Sequence, residues 1–185
     1  MIQDDDYELA NSKSLTKLKD GFQSIDFNFK DINGRFISLN DEQFKNKVVV
    51  VQILGTWCPN CLDETQFFLS YIEENPEQDL AFVGLSVEAA KTEERAMKRI
   101  SNMIDKFEIP YPILLAQYGS TDKEKFLEKI PMLENIISYP TTIIIDKSGK
   151  VNSIHTGFNG PATGQAYIDY KNEFESEIKG LLELQ

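Results

Sequence analysis

The chain has 185 residues, 41% of them hydrophobic and 26% charged, with a formal net charge of −11. That length accommodates one domain with a full core and is short for two. The acidic balance argues against nucleic acid or an anionic lipid surface as partner, since both need a basic face, and no apolar run reaches the ~18 residues of a membrane span.

Residues 1–20 are polar and acidic, then lysine-containing, and read as a tail or linker ahead of a domain over 21–185. Their start, Met1-Ile2-Gln3 and three aspartates, has neither the basic residues nor the apolar middle of an export signal. The chain is therefore expected to be cytosolic or the mature part of an exported protein. Phe27, Phe29, Phe36, Ile37 and Leu39 surround Asn33-Gly34, a dipeptide that favours a type I′ hairpin turn. A helical turn over 40–47 then leads into a strand at Val48–Leu54. Four consecutive valines there, without alternation, predict a strand covered on both faces. Cys61, Thr65, Phe68 and Ile72 recur at helical spacing and place a helix over 59–75, with a second covered strand at 80–86. Together these make a βαβ unit.

Ala96, Ile100, Met103 and Phe107 predict another helix behind Thr92 as its cap. Residues 113–115 form a short strand after Pro110 and Pro112, and the charged stretch 121–134 is a short helix with a loop. Strands at 141–146 and 151–156 pair across Asp146-Lys147-Ser148-Gly149. A second turn cluster, Gly157-Phe158-Asn159-Gly160-Pro161, precedes a last helix over 163–182, striped by Tyr167, Tyr170, Phe174, Ile178 and Leu182. The expected class is α/β: a central mixed sheet flanked by helices, with an N-terminal β-hairpin and a helical insert ahead of Pro140.

Both cysteines fall in one motif, Cys58-Pro59-Asn60-Cys61, where the first covered strand stops and its helix starts. Pro59 suits the first helical position, because proline has no N–H to lose there and its φ is already set. Cys58 then becomes the cap, facing the free amides of the first turn. Those donors and the helix dipole favour its thiolate, and thiol pKa values in such settings fall from about 8.5 to roughly 3.5–7.5. Cys61 lies about one turn further on, close enough to close a disulfide with Cys58. The pattern suits a reversible dithiol/disulfide switch with one activated, exposed sulfur and one shielded sulfur. No cysteine remains for a structural disulfide, and such a pair works in reducing and oxidising compartments alike. Zinc would need about four ligands, against two thiols and one distant histidine here. No metal is expected, and no cofactor beyond the Cys58–Cys61 pair itself.

Glu64 is three residues past Cys61 and shares its helix face. A carboxylate there can take the Cys61 proton when that thiol attacks a mixed disulfide, since exchange needs a thiolate and a shielded thiol needs a base. The plainer alternative is a solvated helix glutamate. Asp63 points about 100° away from it. Trp57, the only tryptophan, either packs in the core or flanks the active sulfur, and the two roles are compatible. Pro140 opens a strand. Most X–Pro bonds are trans, but a cis bond here would present the Tyr139 backbone beside Cys58. His155, the lone histidine, is expected in a structural or surface role. Phe158 is either an exposed ring for a partner or a piece of loop packing.

With these residues in place the chain resembles the thioredoxin superfamily. More narrowly, it is similar to the TlpA/ResA-like thiol–disulfide oxidoreductases, with kinship to the redoxin group. The resemblance spans about 22–182 and is carried by Asp31-Ile32-Asn33-Gly34 with Ser38-Leu39, by Gly55 through Cys61, by Glu64, by Tyr139-Pro140-Thr141 and by Asp146 through Gly149. It implies a thioredoxin-like fold, a βαβ half followed by ββα, with a cis Tyr139–Pro140 bond. Cys58 would be the attacking thiol, Cys61 the resolving thiol and Glu64 a functional carboxylate. Trp57, Pro59, Tyr139, Pro140 and Phe158 would frame a groove for the partner.

The resemblance further implies a monomeric reductant outside the cytoplasmic membrane, periplasmic or otherwise extracytoplasmic, free or tethered. Its partners would be disulfide-containing proteins such as apocytochrome c, and a membrane dithiol donor would recharge it. Two departures stand out: Pro59 directly after Cys58, where such proteins vary, and a long 88–138 region. Two other classes remain open, a thiol peroxidase and a non-catalytic binding module on the same scaffold. A peroxidatic cysteine would resemble Pro-x-x-x-Thr-x-x-Cys, whereas Val51 and Gly55 hold the marked positions before Cys58.

Overall fold

The computed structural model describes residues 15–77 and 79–184. Its elements in chain order are β1 (Asn28–Lys30), β2 (Phe36–Ser38), β3 (Val48–Leu54), α1 (Pro59–Glu74), β4 (Leu80–Val87), α2 (Glu93–Phe107), β5 (Ile113–Gln117), α3 (Lys123–Leu127), β6 (Thr141–Ile145), β7 (Val151–Thr156) and α4 (Gln165–Glu183). All seven strands join one sheet, in the order β2-β1-β5-β4-β3-β6-β7. β3 and β4 run parallel from Val48↔Leu80 to Leu54↔Ser86, and β5 continues parallel on the far side of β4. β6 lies antiparallel to β3, and β7 antiparallel to β6. The N-terminal hairpin extends the same sheet, with β1 joining β5 through Lys30↔Leu115. This is the mixed α/β arrangement, βαβ then ββα, that the element order predicts.

All seven residues of β3 are buried, because both faces of the strand are covered. Val49, Val51 and Ile53 pack on one side with Phe126, Ile130, Leu133 and Ile143. Val48, Val50 and Leu54 pack on the other with Phe68, Ile100 and Phe174. Each such aliphatic side chain contributes about 1.5–3 kcal/mol by leaving water. The few apolar residues of the charged 121–134 stretch therefore close one face of the sheet. On the opposite face α4 docks on α1 through rings, with Phe174 centroids 5.2 Å from Phe67, 5.4 Å from Phe68 and 5.2 Å from Tyr71.

Several local expectations change. Gly34 alone in its turn has positive φ, +78°, whereas a type I′ turn needs it at both central residues. Gly34 N donates to Asp31 O and Asp31 N donates to Arg35 O, which makes a three-residue loop closed by a left-handed glycine. The Asp31 carboxylate accepts from Asn33 N, Arg35 N and Arg35 Nε. Burial pushes its pKa up, but these donors outweigh burial and hold it below the ordinary value. Asp146 to Lys150 repeats the design, with Gly149 at φ +84° and Asp146 accepting from Ser148 N and Lys150 N. The helical turn expected over 40–47 is a run of short turns, with Phe44 N donating to Asp41 O and Lys47 N to Phe44 O.

Of the expected tail, residues 1–14 lie outside the described residues. Thr16 onward is docked on the domain. Thr16 is buried and accepts from Thr156 Oγ1 at 2.8 Å, Leu18 bridges Leu133, and Lys19 N donates to Met132 O. Leu15 joins the same contact, its carbonyl accepting from Asn135 Nδ2 at 2.9 Å. The last helix begins at Gln165 rather than 163, behind a 3-10 turn at Pro161–Thr163. Among the described residues no helix is long and apolar enough to cross a membrane.

Candidate active site

β3 ends at Leu54 and α1 begins at Pro59, so the four residues between them are fixed at both ends. Cys58 is extended (φ −98°, ψ 109°) and caps α1: its Sγ accepts from Cys61 N at 3.3 Å, and Pro59 follows at the start of the helix. Cys58 and Cys61 form a disulfide with Cα atoms 5.3 Å apart, well within the usual range. Cys61 is fully buried, whereas Cys58 keeps 8% of its surface. The outer sulfur is therefore nearly covered, more so than the expected exposed thiol. The Tyr139–Pro140 bond is cis, and Tyr139 O lies 3.8 Å from Cys58 Sγ.

Trp57 is 41% exposed. Its ring meets Tyr139 edge-on at 5.9 Å, and its Nε1–H donates to Val87 O at 2.8 Å. It flanks the disulfide and is anchored at once. Gly55 permits this: a Cβ there would stand 2.4 Å from Trp57 Nε1 and 2.9 Å from Val87 O. Beneath the turn, the buried Glu88 carboxylate accepts from Thr56 N at 2.9 Å, Thr56 Oγ1 at 2.7 Å and Ser86 Oγ at 2.7 Å.

Glu64 is completely buried, so it is no solvated helix glutamate. Tyr170 Oη–H donates to its Oε1 at 3.0 Å. Gln52 Nε2 donates to its Oε2 at 2.9 Å and to Cys61 O at 3.1 Å. The Thr65 hydroxyl, 3.0 Å from Gln52 Oε1, fixes that amide's orientation. Burial pushes the Glu64 pKa up to about 7, against the pull of hydrogen bonds from Gln52 and Tyr170. Burial, together with the Glu64 charge, pushes Tyr170 well above its ordinary value, so its hydroxyl stays a donor. A carboxyl titrating near neutrality can accept and return a proton at working pH, and this one is tied through one amide to the backbone of Cys61.

Cys58, Cys61, Glu64, Trp57, Pro59, Tyr139 and Pro140 thus converge at one end of β3. Phe158 does not join them as an exposed ring: it is 7% exposed and packs against Phe67, Tyr167 and Tyr170. The Gly157 turn folds its ring inward, which corrects its placement in the partner groove. His155 is buried, with Nε2 3.3 Å from Glu177 Oε2. Burial pushes Glu177 up, but hydrogen bonds from His155, Ser153 and Asn152 outweigh burial and bring its pKa down to about 2. Gln52, Tyr170 and Glu88 are site residues that sequence reasoning missed. Gln52 left a signal as the one polar residue in a strand covered on both faces; Tyr170 was hidden in the core stripe of α4. Among the described residues no group of three or more His, Cys, Asp or Glu side chains could hold a metal.

A model of the Redoxin family matches residues 19–168. The chain is 30% identical over 146 residues to the thioredoxin-like protein YneN of Bacillus subtilis, covering 79% of this chain and 76% of that one. It is 25% identical over 155 residues to the thiol-disulfide oxidoreductase ResA of Bacillus subtilis, covering 84% and 75%. Among solved structures, a thiol:disulfide interchange protein of the thioredoxin family from Chlorobium tepidum superposes with a TM-score of 0.57 at 20% identity, covering 86% of this chain and 95% of that one. At that identity the likeness shows the fold.

Proposed function

The chain belongs to the Redoxin family and is a thiol–disulfide oxidoreductase of the ResA-like kind with a Cys58–Cys61 pair, and from that premise we propose that it works as a reductant of disulfides in exported proteins. The reduced Cys58 thiolate attacks one sulfur of the partner's disulfide. That S–S bond breaks, a mixed disulfide forms, and the partner's leaving thiolate takes a proton. Cys61 then gives its proton to Glu64 and attacks Cys58 Sγ. The Cys58–Cys61 bond forms, the second partner thiolate leaves, and one electron pair has passed to the partner. The resemblance to the TlpA/ResA-like group supports partners such as apocytochrome c, recharging by a membrane dithiol donor, a monomer, and a place outside the cytoplasmic membrane.

The observation that carries the reading is the fully buried Glu64 carboxyl, joined through the Gln52 amide to the backbone of the shielded Cys61. A mere structural staple needs no base at that place. In the test, reduced protein is mixed with an apocytochrome c bearing an oxidised Cys-x-x-Cys pair, and partner thiols are counted. Wild type should release them, Cys58→Ser should release none, and Cys61→Ser should accumulate a covalent adduct. Failure to trap any adduct would remove the assigned roles. A potential of the pair below about −300 mV would mark a structural disulfide instead, and faster turnover of peroxide than of disulfide would mark a peroxidase.

A further inference from the structure

On this acidic molecule, Lys91, Arg95, Lys98, Arg99 and Lys106 are all exposed on one side, and none forms an ion pair among the described residues. Helical spacing gathers them. Arg95, Arg99 and Lys106 fall within roughly 40° of one another round α2, while Glu94 and Asp105 lie roughly 120° or more from Arg99. The strip borders two surface cavities. One, of about 390 Å³, has Trp57, Leu62, Met103 and Phe107 along its floor and Arg99 and Lys106 at its rim. The other, of about 440 Å³, lies over Ala89 and Ala90 among Lys91, Arg95, Lys98 and Arg99. Arg99 is common to both, and Trp57 and Leu62 adjoin Cys58 and Cys61 in sequence. The Lys106 ammonium sits 5.1 Å above the Phe107 ring, which holds positive charge over an apolar floor.

We infer that this strip docks an acidic segment of the partner protein beside the disulfide to be reduced. An apolar partner side chain fills the floor next to Trp57, and flanking carboxylates meet Arg99, Lys106 and Arg95. With 30 acidic against 19 basic residues in the chain, an acidic partner meets net repulsion from the molecule as a whole, and this strip offers it an attractive approach beside Trp57, the residue before Cys58. Such steering raises encounter rates and fixes orientation. An anionic bilayer is disfavoured by that same surrounding charge and by the concave shape of the floor. The inference rests on the exchange activity proposed above and names its substrate class.

Two synthetic peptides test it, each with the same leucine and cystine loop, one flanked by aspartates and one by lysines. Serine-for-cysteine versions are titrated against the protein using the fluorescence of Trp57, the sole tryptophan, so binding is read without turnover. The aspartate peptide should bind about tenfold more tightly at ~20 mM NaCl, and the preference should fade by ~300 mM. In R99E/K106E the preference should reverse, and the relative reduction rates of the cystine peptides should reverse with it. Equal affinities, or a preference untouched by R99E/K106E, overturn the inference. So does binding to phosphatidylglycerol vesicles that R99E/K106E abolishes while neither peptide is preferred. Wild-type reduction of the neutral bis(2-hydroxyethyl) disulfide judges the exchange activity separately: its absence sinks that reading, while the serine peptides still decide the docking one.

Discussion

Glu64 owes its chemistry to its neighbours more than to its helix position. Removing the Tyr170 hydroxyl deletes a donor that favours the carboxylate, so Tyr170→Phe should move its pKa further upward. A hydrogen bond to a charged group is worth about 1.5–3 kcal/mol, equivalent to roughly 1–2 pH units. Release of partner from the mixed disulfide, followed against pH by stopped flow, should shift its midpoint upward by about that much, and Glu64→Gln should flatten the profile. A Tyr170→Phe profile that overlays wild type would disconnect the two residues. Gly55→Ala forces a Cβ onto the indole; it should cost roughly 1–3 kcal/mol and change Trp57 emission by breaking the bond to Val87 O. At this scale the cysteines and Glu64 were legible because their spacing on one helix carries their geometry, and Pro140 because of its place in the order of elements. Tyr170 was not, because nothing in a helical stripe tells a ring that only packs from one whose hydroxyl turns toward a carboxylate 106 residues earlier.

Helix α4 both fills the core and carries Tyr170. Phe174 is fully buried against Phe67, Phe68 and Tyr71, so Phe174→Ala should destabilise the protein by about 3–5 kcal/mol. It should also slow partner release, because Tyr170 sits one turn away on the same helix; denaturant midpoints and release rates should fall together. Most elements were legible from periodicity: α1, α2 and the strands fall within a few residues of where the apolar pattern puts them. The turns were less so. Asn33-Gly34 signals a tight turn, but Asp31 two residues earlier draws the loop into a longer form by binding three donors at once. The join of β1 to β5 spans 85 positions from Lys30 to Leu115, and no local pattern encodes a partner at that distance. The same holds for Thr16 against Thr156.

Over the whole molecule, two acids, the buried Glu64 and the half-buried Glu177, shape the response to pH in opposite ways. Glu64 has a folded pKa of about 7 against an ordinary 4.5, so between those values the native state holds more protons than the unfolded chain. Stability should therefore fall as pH rises through that window, by about 3 kcal/mol, and then level off. Glu177, lowered to about 2, lends stability above its ordinary pKa and loses it as pH falls toward 2. Urea unfolding at pH 5 and pH 8 should show wild type losing ground to Glu64→Gln at the higher pH; parallel behaviour would mean that Glu64 is hydrated. The sheet's two rims carry a last consequence. One is β2, only three residues long. The other is β7, whose first amide is taken by Gln23 O, whose Asn152 and Ser153 are tied to Glu177, and whose ladder is interrupted beside Ile145. Neither rim offers a long open ladder for a neighbouring copy to zip onto, so crowded solutions should resist ribbon and fibril growth.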